Sequence, residues 1–285
     1  MRLRKPSWLK IKISGGKEYV KIKDIVEKNK LHTICSSGKC PNIGECWSKG
    51  AATFMIMGEI CTRSCKFCAT QTGKPLALDP NEPESIANSV KIMNLRHTVI
   101  TSVDRDDLED GGANHWAKTI LEIRKSSPNT IIEVLIPDFN ADAALINCVV
   151  DAKPDIISHN IETVRRITPL VRSKAKYDVS LNSLSIISSS GIMTKSGIMV
   201  GIGETKEEIE ETIADLFNVG CRMLTIGQYL QPTKDNLEVD RYVHPDEFEQ
   251  YKQFALKLGY KQVESDPLVR SSYMAENSFT NILDK

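Results

Sequence analysis

The sequence predicts an α/β fold, a partial (β/α)6 barrel of the TIM type, with an N-terminal extension and a C-terminal segment that closes the barrel mouth. Two observations predict it. Short apolar runs, typical of strands buried on both faces of a parallel sheet, alternate with amphipathic helix-like segments. Six such alternations imply right-handed crossovers, and a complete eight-unit barrel typically needs about 250 residues, so this barrel is predicted to be incomplete.

The predicted elements follow one another in order from residue 51. The strands are predicted at residues 53–58, 98–103, 131–137, 155–160, 195–201 and 222–228. The helices are predicted at 84–95, 115–125, 141–152, 180–190 and 206–219, with a last helix at 245–258 before a loop-rich end. Gly191 and Gly220 stand where helices commonly end in glycine. The chain thus divides into an extension (1–50), the barrel (51–230) and a C-terminal segment (231–285).

The composition is that of an ordinary globular protein without charge bias. Of the 285 residues, 41% are hydrophobic and 26% are charged, and 37 basic residues balance 37 acidic ones. This balance argues against nucleic acid or an anionic membrane as partner, and no apolar run approaches the ~18–20 residues of a membrane span. The chain opens without a signal-peptide pattern. We therefore expect a cytoplasmic protein whose eight cysteines are metal ligands or buried thiols rather than disulfides.

Three cysteines follow the first predicted strand. Cys61, Cys65 and Cys68, the first cysteine trio, form a C-x3-C-x2-C pattern. Zinc usually takes four ligands in two pairs, whereas three crowded thiolates can hold three irons of a 4Fe–4S cluster and leave the fourth iron open. S-adenosylmethionine (SAM) can chelate such an iron and be cleaved by one electron to a 5′-deoxyadenosyl radical. Because barrel active sites lie at the C-terminal ends of the strands, the loop is predicted to form a catalytic radical centre.

A second cysteine trio lies in the N-terminal extension. Cys35, Cys40 and Cys46 form a C-x4-C-x5-C pattern a short distance upstream of the first trio. That proximity predicts an auxiliary iron–sulfur cluster. The spacing alone leaves a zinc knuckle open as the alternative, with His32 as its fourth ligand.

Several other polar or reactive residues have ordinary structural explanations. Cys148 in an apolar helix and Cys221 at a strand start are predicted to be buried core thiols. A lone histidine such as His159, at the end of the fourth strand, is more often a hydrogen-bonded structural group than a catalyst. The charged residues 104–107 end the second strand, where a solvated loop and a role in orienting SAM or substrate are both open.

Both cysteine trios and their surroundings closely resemble the lipoyl synthases, a radical SAM family. The combination of the two cysteine patterns with a terminal RSSY is one that we associate with no other radical SAM family. The matching stretches cover nearly the whole chain in order: KPSWLK, CSSGKCPNIGECW, GAATFMIMGEICTRSCKFCAT, TSVDRDDLEDGGANHW, HNIETVRRITPLVR, SGIMVGIGET, LTIGQYLQPTKDNLEVDRYVHPDEF and PLVRSSYMAE.

The resemblance implies a reaction, cofactors and partners. A protein-bound N6-octanoyl-lysine would receive two sulfur atoms, at its carbons 6 and 8, in a reaction that uses two 4Fe–4S clusters and SAM. The auxiliary cluster would supply the sulfur and be consumed. The implied partners are octanoylated carrier domains of 2-oxoacid dehydrogenases and of the glycine cleavage system, a low-potential electron donor such as flavodoxin or ferredoxin, and cluster-assembly proteins.

The resemblance also implies residues at both sites. The family uses a serine oxygen of the RSSY motif as a fourth ligand of the auxiliary cluster, which favours Ser272 here. On the SAM side it implies Phe67 near the adenine, together with Gly201, Gly203 and Glu204. Asn160 and Glu162 are further SAM-side candidates because they lie at the end of the fourth predicted strand, where barrel active sites gather. The glycine turn lacks the full G-x-G-x-x-G pattern of dinucleotide sites, so a plain tight turn is its alternative.

Two other functions remain as alternatives on sequence alone. Another sulfur-inserting radical SAM enzyme, such as a biotin synthase-like protein, would share the first trio but would not explain the RSSY serines. A non-enzymatic zinc-binding module would account for the second trio only.

Overall fold

The apolar runs of the barrel region form strands of one sheet. The structure is a computed structural model that describes residues 4–10, 15–29, 31–49 and 51–273. Its strands are β1 (His32–Thr33), β2 (Thr53–Ile56), β3 (Ile60–Cys61), β4 (Gln71–Thr72), β5 (His97–Ser102), β6 (Ile131–Leu135), β7 (Ile156–Ser158), β8 (Met193–Val200), β9 (Met223–Gln228) and β10 (Gln262–Ser265). Eight of them form the main sheet, in the order β1-β2-β5-β6-β7-β8-β9-β10.

Helices connect the successive parallel strands. In the described residues they are α1 (Lys17–Lys28), α2 (Ile34–Ser37), α3 (Ile43–Ser48), α4 (Glu82–Met93), α5 (Ala113–Ser126), α6 (Ala143–Asp151), α7 (Thr168–Val171), α8 (Tyr177–Ser189), α9 (Lys206–Asn218) and α10 (Pro245–Leu258), with short 3-10 turns at Ser7–Leu9 and Phe139–Ala141. Each of the longer barrel helices buries an apolar stripe. On α5, Trp116, Ile120 and Ile123 are completely buried at helical spacing.

The predicted partial barrel is confirmed. All six predicted strands and all six predicted helices are present, and α10 has the predicted bounds. From β2 to β10 the neighbouring strands of the main sheet pair in parallel. The strand residues are buried throughout β2 and β9, which explains why they read as continuous apolar runs.

Both flanking parts contribute strands that the sequence did not predict. In the extension, β1 pairs antiparallel with β2, and in the C-terminal segment β10 adds a seventh parallel strand beside β9. The loop-rich end predicted after α10 thus includes one strand, at residues 262–265, while residues 274–285 lie outside the described part. The division at residues 50 and 230 stays a prediction.

Local sequence fixes the ends of the helices. Thr205 begins α9 with a capping box, in which its hydroxyl accepts from the Glu208 amide and the Glu208 carboxylate accepts from the Thr205 amide. Gly191 and Gly220 follow α8 and α9 with φ of +81° and +98°, as the sequence predicts. Within the residues that the structure describes, we find no helix long and apolar enough to cross a membrane.

Candidate active site

One cavity of about 580 Å³ collects most of the predicted site residues. Predicted residues from the extension, from the loops after the strands and from the C-terminal end all line it: Cys35, Cys40, Cys61, Cys65, Phe67, Cys68, Asn160, Glu162 and Ser272. Cys46, Gly201, Gly203 and Glu204 are not among its lining residues. Five of the six trio cysteines, drawn from both trios, thus line one space together with Ser272.

The first trio follows β2 and accepts hydrogen bonds from the main chain. The amides of Arg63 and Asp104 donate to the sulfur of Cys61 at 3.4 and 3.3 Å, and the amide of Thr70 donates to Cys68 at 3.4 Å. Burial raises the pKa of Cys61 to about 12, so its thiolate needs a compensating cation. Three free thiols with amide donors therefore fit an iron–sulfur cluster, whose irons supply that charge.

A buried guanidinium holds the loop of the first trio. Arg63 donates two bonds to Asp106, both at 2.9 Å, and two to Asp138, at 3.1 and 3.0 Å. Although burial raises it, hydrogen bonds from Arg63 and Lys174 lower the pKa of Asp106 to about 2. These bidentate bonds tie the cysteine loop to the loops after β5 and β6. The acidic residues of 104–107 are therefore largely structural partners of arginines rather than a solvated loop.

The second trio lies on α2, on α3 and between them. Cys35 is buried, whereas Cys40 and Cys46 are half-buried. Burial raises the pKa of Cys46 to about 12, and the nearby thiolates of Cys40 and Cys35 contribute to this rise. In the described part of the chain, no three His, Cys, Asp or Glu side chains converge on a single metal-ion position.

The C-terminal tail (residues 266–273) reaches the second trio. The Thr53 hydroxyl donates to Ser272 Oγ at 2.8 Å, and Thr53 also hydrogen-bonds the thiol of Cys35. Asn42, between Cys40 and Cys46, donates to the Leu268 carbonyl at 2.7 Å. Ser272 therefore lies one hydrogen-bonded residue away from Cys35. This placement fits the donor set of three thiols and one hydroxyl that the resemblance implies.

The tail packs against the last barrel strands at a glycine. A Cβ on Gly227 in β9 would lie 2.1 Å from the carbonyl oxygen of Val269.

We expect Gly227→Ala to lower the free energy of unfolding by about 1–3 kcal/mol, because main chain rather than a flexible side chain occupies the space. Chemical denaturation followed by circular dichroism would measure it, with Gly15→Ala, which meets no atom within 4 Å, as control. A Gly227→Ala protein that keeps the denaturation midpoint of the wild type and of the control would contradict the close packing.

The predicted SAM-side residues divide into two groups. Asn160 and Glu162 line the cavity, and the Asn160 amide donates to Glu162 at 3.2 Å. Glu204 instead accepts from the amides of Gly201 and Ile202, so its carboxylate caps its own turn. A contact between SAM and Gly201, Gly203 or Glu204 stays a prediction, and the tight turn describes their present role.

Arg172 is a cavity residue that the sequence reasoning did not single out. It follows α7, lines the cavity, and donates to the Ile161 carbonyl and the Ser180 hydroxyl at 3.3 and 3.0 Å. Its Nε is buried without a hydrogen-bond partner. A positive charge beside the first trio suits a carboxylate ligand. Its sequence signal is its place at the end of HNIETVRRITPLVR, directly after the apolar pair Leu170-Val171.

His159 is a structural group, as expected. Its Nδ1 donates to the Ile136 carbonyl at 2.9 Å, and its Nε2 accepts from Ser180 at 3.0 Å.

The two cysteines outside the trios differ in burial. Cys221 is completely buried, as predicted. Cys148 is only partly buried and its thiol donates to Asn114 at 3.6 Å, so the expectation of a core thiol was wrong for Cys148.

Burial and the charge of Arg172 lower the pKa of His159 to about 4. An unfolded histidine takes up a proton near pH 6.5, so between about pH 6.5 and 4 the unfolded state binds more protons and stability is lost as the pH falls. We expect His159→Gln to reduce the decrease in the free energy of unfolding over this pH range by on the order of 2–3 kcal/mol. Denaturation curves at several pH values would measure it, with the exposed His244→Gln as control. Parallel pH curves for wild type and His159→Gln would contradict the assignment.

A parallel partial barrel with three thiols in the loop after its first strand defines a radical SAM protein, and the model of the Radical SAM superfamily matches residues 55–216. The model for the N-terminal domain of lipoyl synthase of this family matches residues 1–40. The chain belongs to the lipoyl synthase family of this superfamily, because curated lipoyl synthases align over nearly its whole length.

Two of these relatives illustrate the match. The lipoyl synthase of Phocaeicola vulgatus is 62% identical over 96% of this chain and 96% of its own length. The lipoyl synthase of Treponema denticola is 56% identical over 96% of this chain and 94% of its own length.

Solved structures support the fold alone. Methylornithine synthase superposes with a TM-score of 0.52 at 13% identity, covering 87% of this chain and 86% of its own. SuiB of Streptococcus suis bound to S-adenosylmethionine superposes with a TM-score of 0.59 at 10% identity, covering 80% of this chain and 55% of its own. The predictions of family and fold are confirmed.

Proposed function

We propose that this chain inserts two sulfur atoms, at carbons 6 and 8, into a protein-bound N6-octanoyl-lysine to form the lipoyl group. The observation that carries the proposal is the convergence of five of the six trio cysteines and Ser272 on one cavity. Membership of the lipoyl synthase family points to the same reaction. Breaking an unactivated C–H bond is beyond acid–base side chains, so a cofactor must supply the reactivity.

Each trio has its own part in the proposal. The first trio would hold the cluster that reductively cleaves SAM, and the second trio with Ser272 would hold the cluster whose sulfur is transferred. Cys61 and Cys68 keep their sulfurs oriented through main-chain amide donors. Arg63 fixes this loop against Asp106 and Asp138.

The chain would bind and enclose SAM and the octanoyl chain between the two trios. Phe67, Asn160, Glu162 and Arg172 line the same cavity as the first trio. Arg172 is the residue that we assign to the carboxylate of SAM, because it lines the cavity and its Nε is buried without a hydrogen-bond partner. Ser271 and Ser272 of the tail also line this cavity, where the tail would help to hold the substrate away from water.

The substrate is an octanoylated carrier protein. We assign this role to the lipoyl-carrier domains of 2-oxoacid dehydrogenases and of the glycine cleavage system. A low-potential donor such as flavodoxin or ferredoxin and cluster-assembly proteins complete the proposed set, in the cytoplasm.

A chemical assay tests the proposal. Anaerobically reconstituted protein should contain about eight irons and eight sulfides per chain, as two 4Fe–4S clusters require. Reduced and supplied with SAM and an octanoyl-lysine peptide, it should increase the peptide mass by two sulfur atoms. Formation of 5′-deoxyadenosine without sulfur gain would point to another radical SAM substrate, as for a biotin synthase-like enzyme. Zinc without iron–sulfur absorbance would indicate a binding module instead.

A further inference from the structure

A buried lysine–glutamate pair lies inside the barrel, and the two cysteine sites do not account for it. The side chains of Lys195 on β8 and Glu133 on β6 are 4% and 2% exposed, with Nζ 2.7 Å from Oε1. A buried pair adds little net stability, because the cost of removing two charges from water offsets their attraction. Apolar side chains normally fill a barrel interior. The pair therefore indicates a role other than stability.

Lys195 makes a second contact, to the main chain of the tail. Its ammonium group donates to the carbonyl oxygen of Ser271 at 2.7 Å. The neighbouring contacts are neutral: Asn160 donates to Ser271 Oγ at 2.7 Å, and Thr53 to Ser272 Oγ at 2.8 Å. Charge-assisted hydrogen bonds are roughly twice as strong as neutral ones. Lys195 is thus the strongest of these three donors, and it holds the peptide unit that leads directly into Ser272.

Glu133 in turn fixes the direction of the lysine. Ser158 donates to Glu133 Oε1 at 3.2 Å, and His97 Nε2 lies 3.2 Å from Oε2. Although burial raises it, the charge of Lys195 lowers the pKa of Glu133 to about 2, so the carboxylate is ionised at neutral pH. Three strands, β5, β6 and β7, therefore hold the acceptor that orients Lys195 towards the tail.

We propose that Lys195, oriented by Glu133, is a positioning residue that fixes the Ser271 carbonyl and thereby presents the Ser272 hydroxyl to the second cysteine trio. The inference rests on the proposed function in one respect, the use of Ser272 as a ligand at that site. Lys195 acts through the main chain of the tail and does not act on the substrate.

A double variant tests the proposal. Lys195→Met with Glu133→Gln removes both charges and leaves no unpaired buried carboxylate. In the reconstituted holoenzyme, hydrogen exchange of residues 266–273 should become faster by about tenfold or more, as expected for a lost charged hydrogen bond, with the barrel strands unchanged. The control is Arg124→Met with Asp155→Asn, which removes an ion pair of 2.6 Å that does not contact the tail.

A product ratio is the second readout. Sulfur inserted per 5′-deoxyadenosine formed should fall about tenfold in the double variant, while SAM cleavage persists. If the double variant does not fold, Lys195→Met alone replaces it, because Glu133 then still has Ser158 and His97 nearby. The same fall in the product ratio is expected for this single variant.

Three outcomes separate the inferences. Wild-type exchange of the tail in the variant would overturn the positioning role, and so would an equal loss of protection across the whole barrel. A wild-type holoenzyme that inserts no sulfur would overturn the proposed function instead, and the exchange data would still decide whether Lys195 fixes the tail.

Discussion

Replacing Cys65 with alanine is expected to abolish SAM cleavage, with 5′-deoxyadenosine formation falling by at least about 10³-fold, because no side chain offers an alternative route to the radical. The bound iron should fall from about eight to about four per chain, since the second trio keeps its own cluster. Anaerobic reconstitution, iron analysis and chromatography of the nucleoside product would measure both.

The chain offers a matched control for this substitution. Cys148 is also a free, half-buried thiol, but it contacts Asn114 and is not among the cavity-lining residues. Cys148→Ala should keep about eight irons and wild-type SAM cleavage. A Cys65→Ala protein that still forms 5′-deoxyadenosine at a rate near wild type would contradict the assignment of the first trio.

Replacing Ser272 with cysteine is the second substitution with a large expected effect. A thiolate binds iron more tightly than a serine oxygen, so the auxiliary cluster should hold its iron and release its sulfur poorly. Hydrogen abstraction should continue, because Ser272 hydrogen-bonds Thr53 on the side of the second trio and makes no hydrogen bond to the first. We expect 5′-deoxyadenosine at near wild-type levels and a lipoyl yield lower by at least about tenfold.

The control for Ser272→Cys is Ser189→Cys, an exposed serine at the end of α8. It should leave both products unchanged. Mass spectrometry of the peptide and quantification of 5′-deoxyadenosine from one reaction give the ratio directly. A wild-type lipoyl yield from the Ser272→Cys protein would refute the ligand assignment.

The barrel could be predicted from sequence because its strands are buried on both faces. Strands such as Thr53–Ile56 and Met223–Gln228 are buried at every residue, which produces unbroken apolar runs. Strand β10 escaped prediction because only Val263 of its four residues is buried. Strand β1 has only two residues, which is too short for any period.

The cysteine sites could be predicted from spacing, but their surroundings depend on the fold. C-x3-C-x2-C is diagnostic in itself, whereas Ser272 needed the family resemblance, since two serines near a chain end are commonly solvated. Glu133 and Lys195 are visible in the sequence as charged residues inside strands: Glu133 lies among apolar residues in β6, and Lys195 lies between Thr194 and Ser196 in β8. The contact of Lys195 with Ser271 could not be predicted, because it joins positions 76 residues apart.

The proposed division of labour between the two trios has one direct test. The second cluster is rebuilt with heavy-isotope sulfide, excess sulfide is removed, and the protein reacts with an octanoyl-lysine peptide and SAM in a single turnover. The expected product carries two heavy sulfur atoms, while Cys65→Ala protein yields none. Product sulfur of natural isotopic composition would contradict the central claim that the second trio and Ser272 hold the sulfur that is transferred.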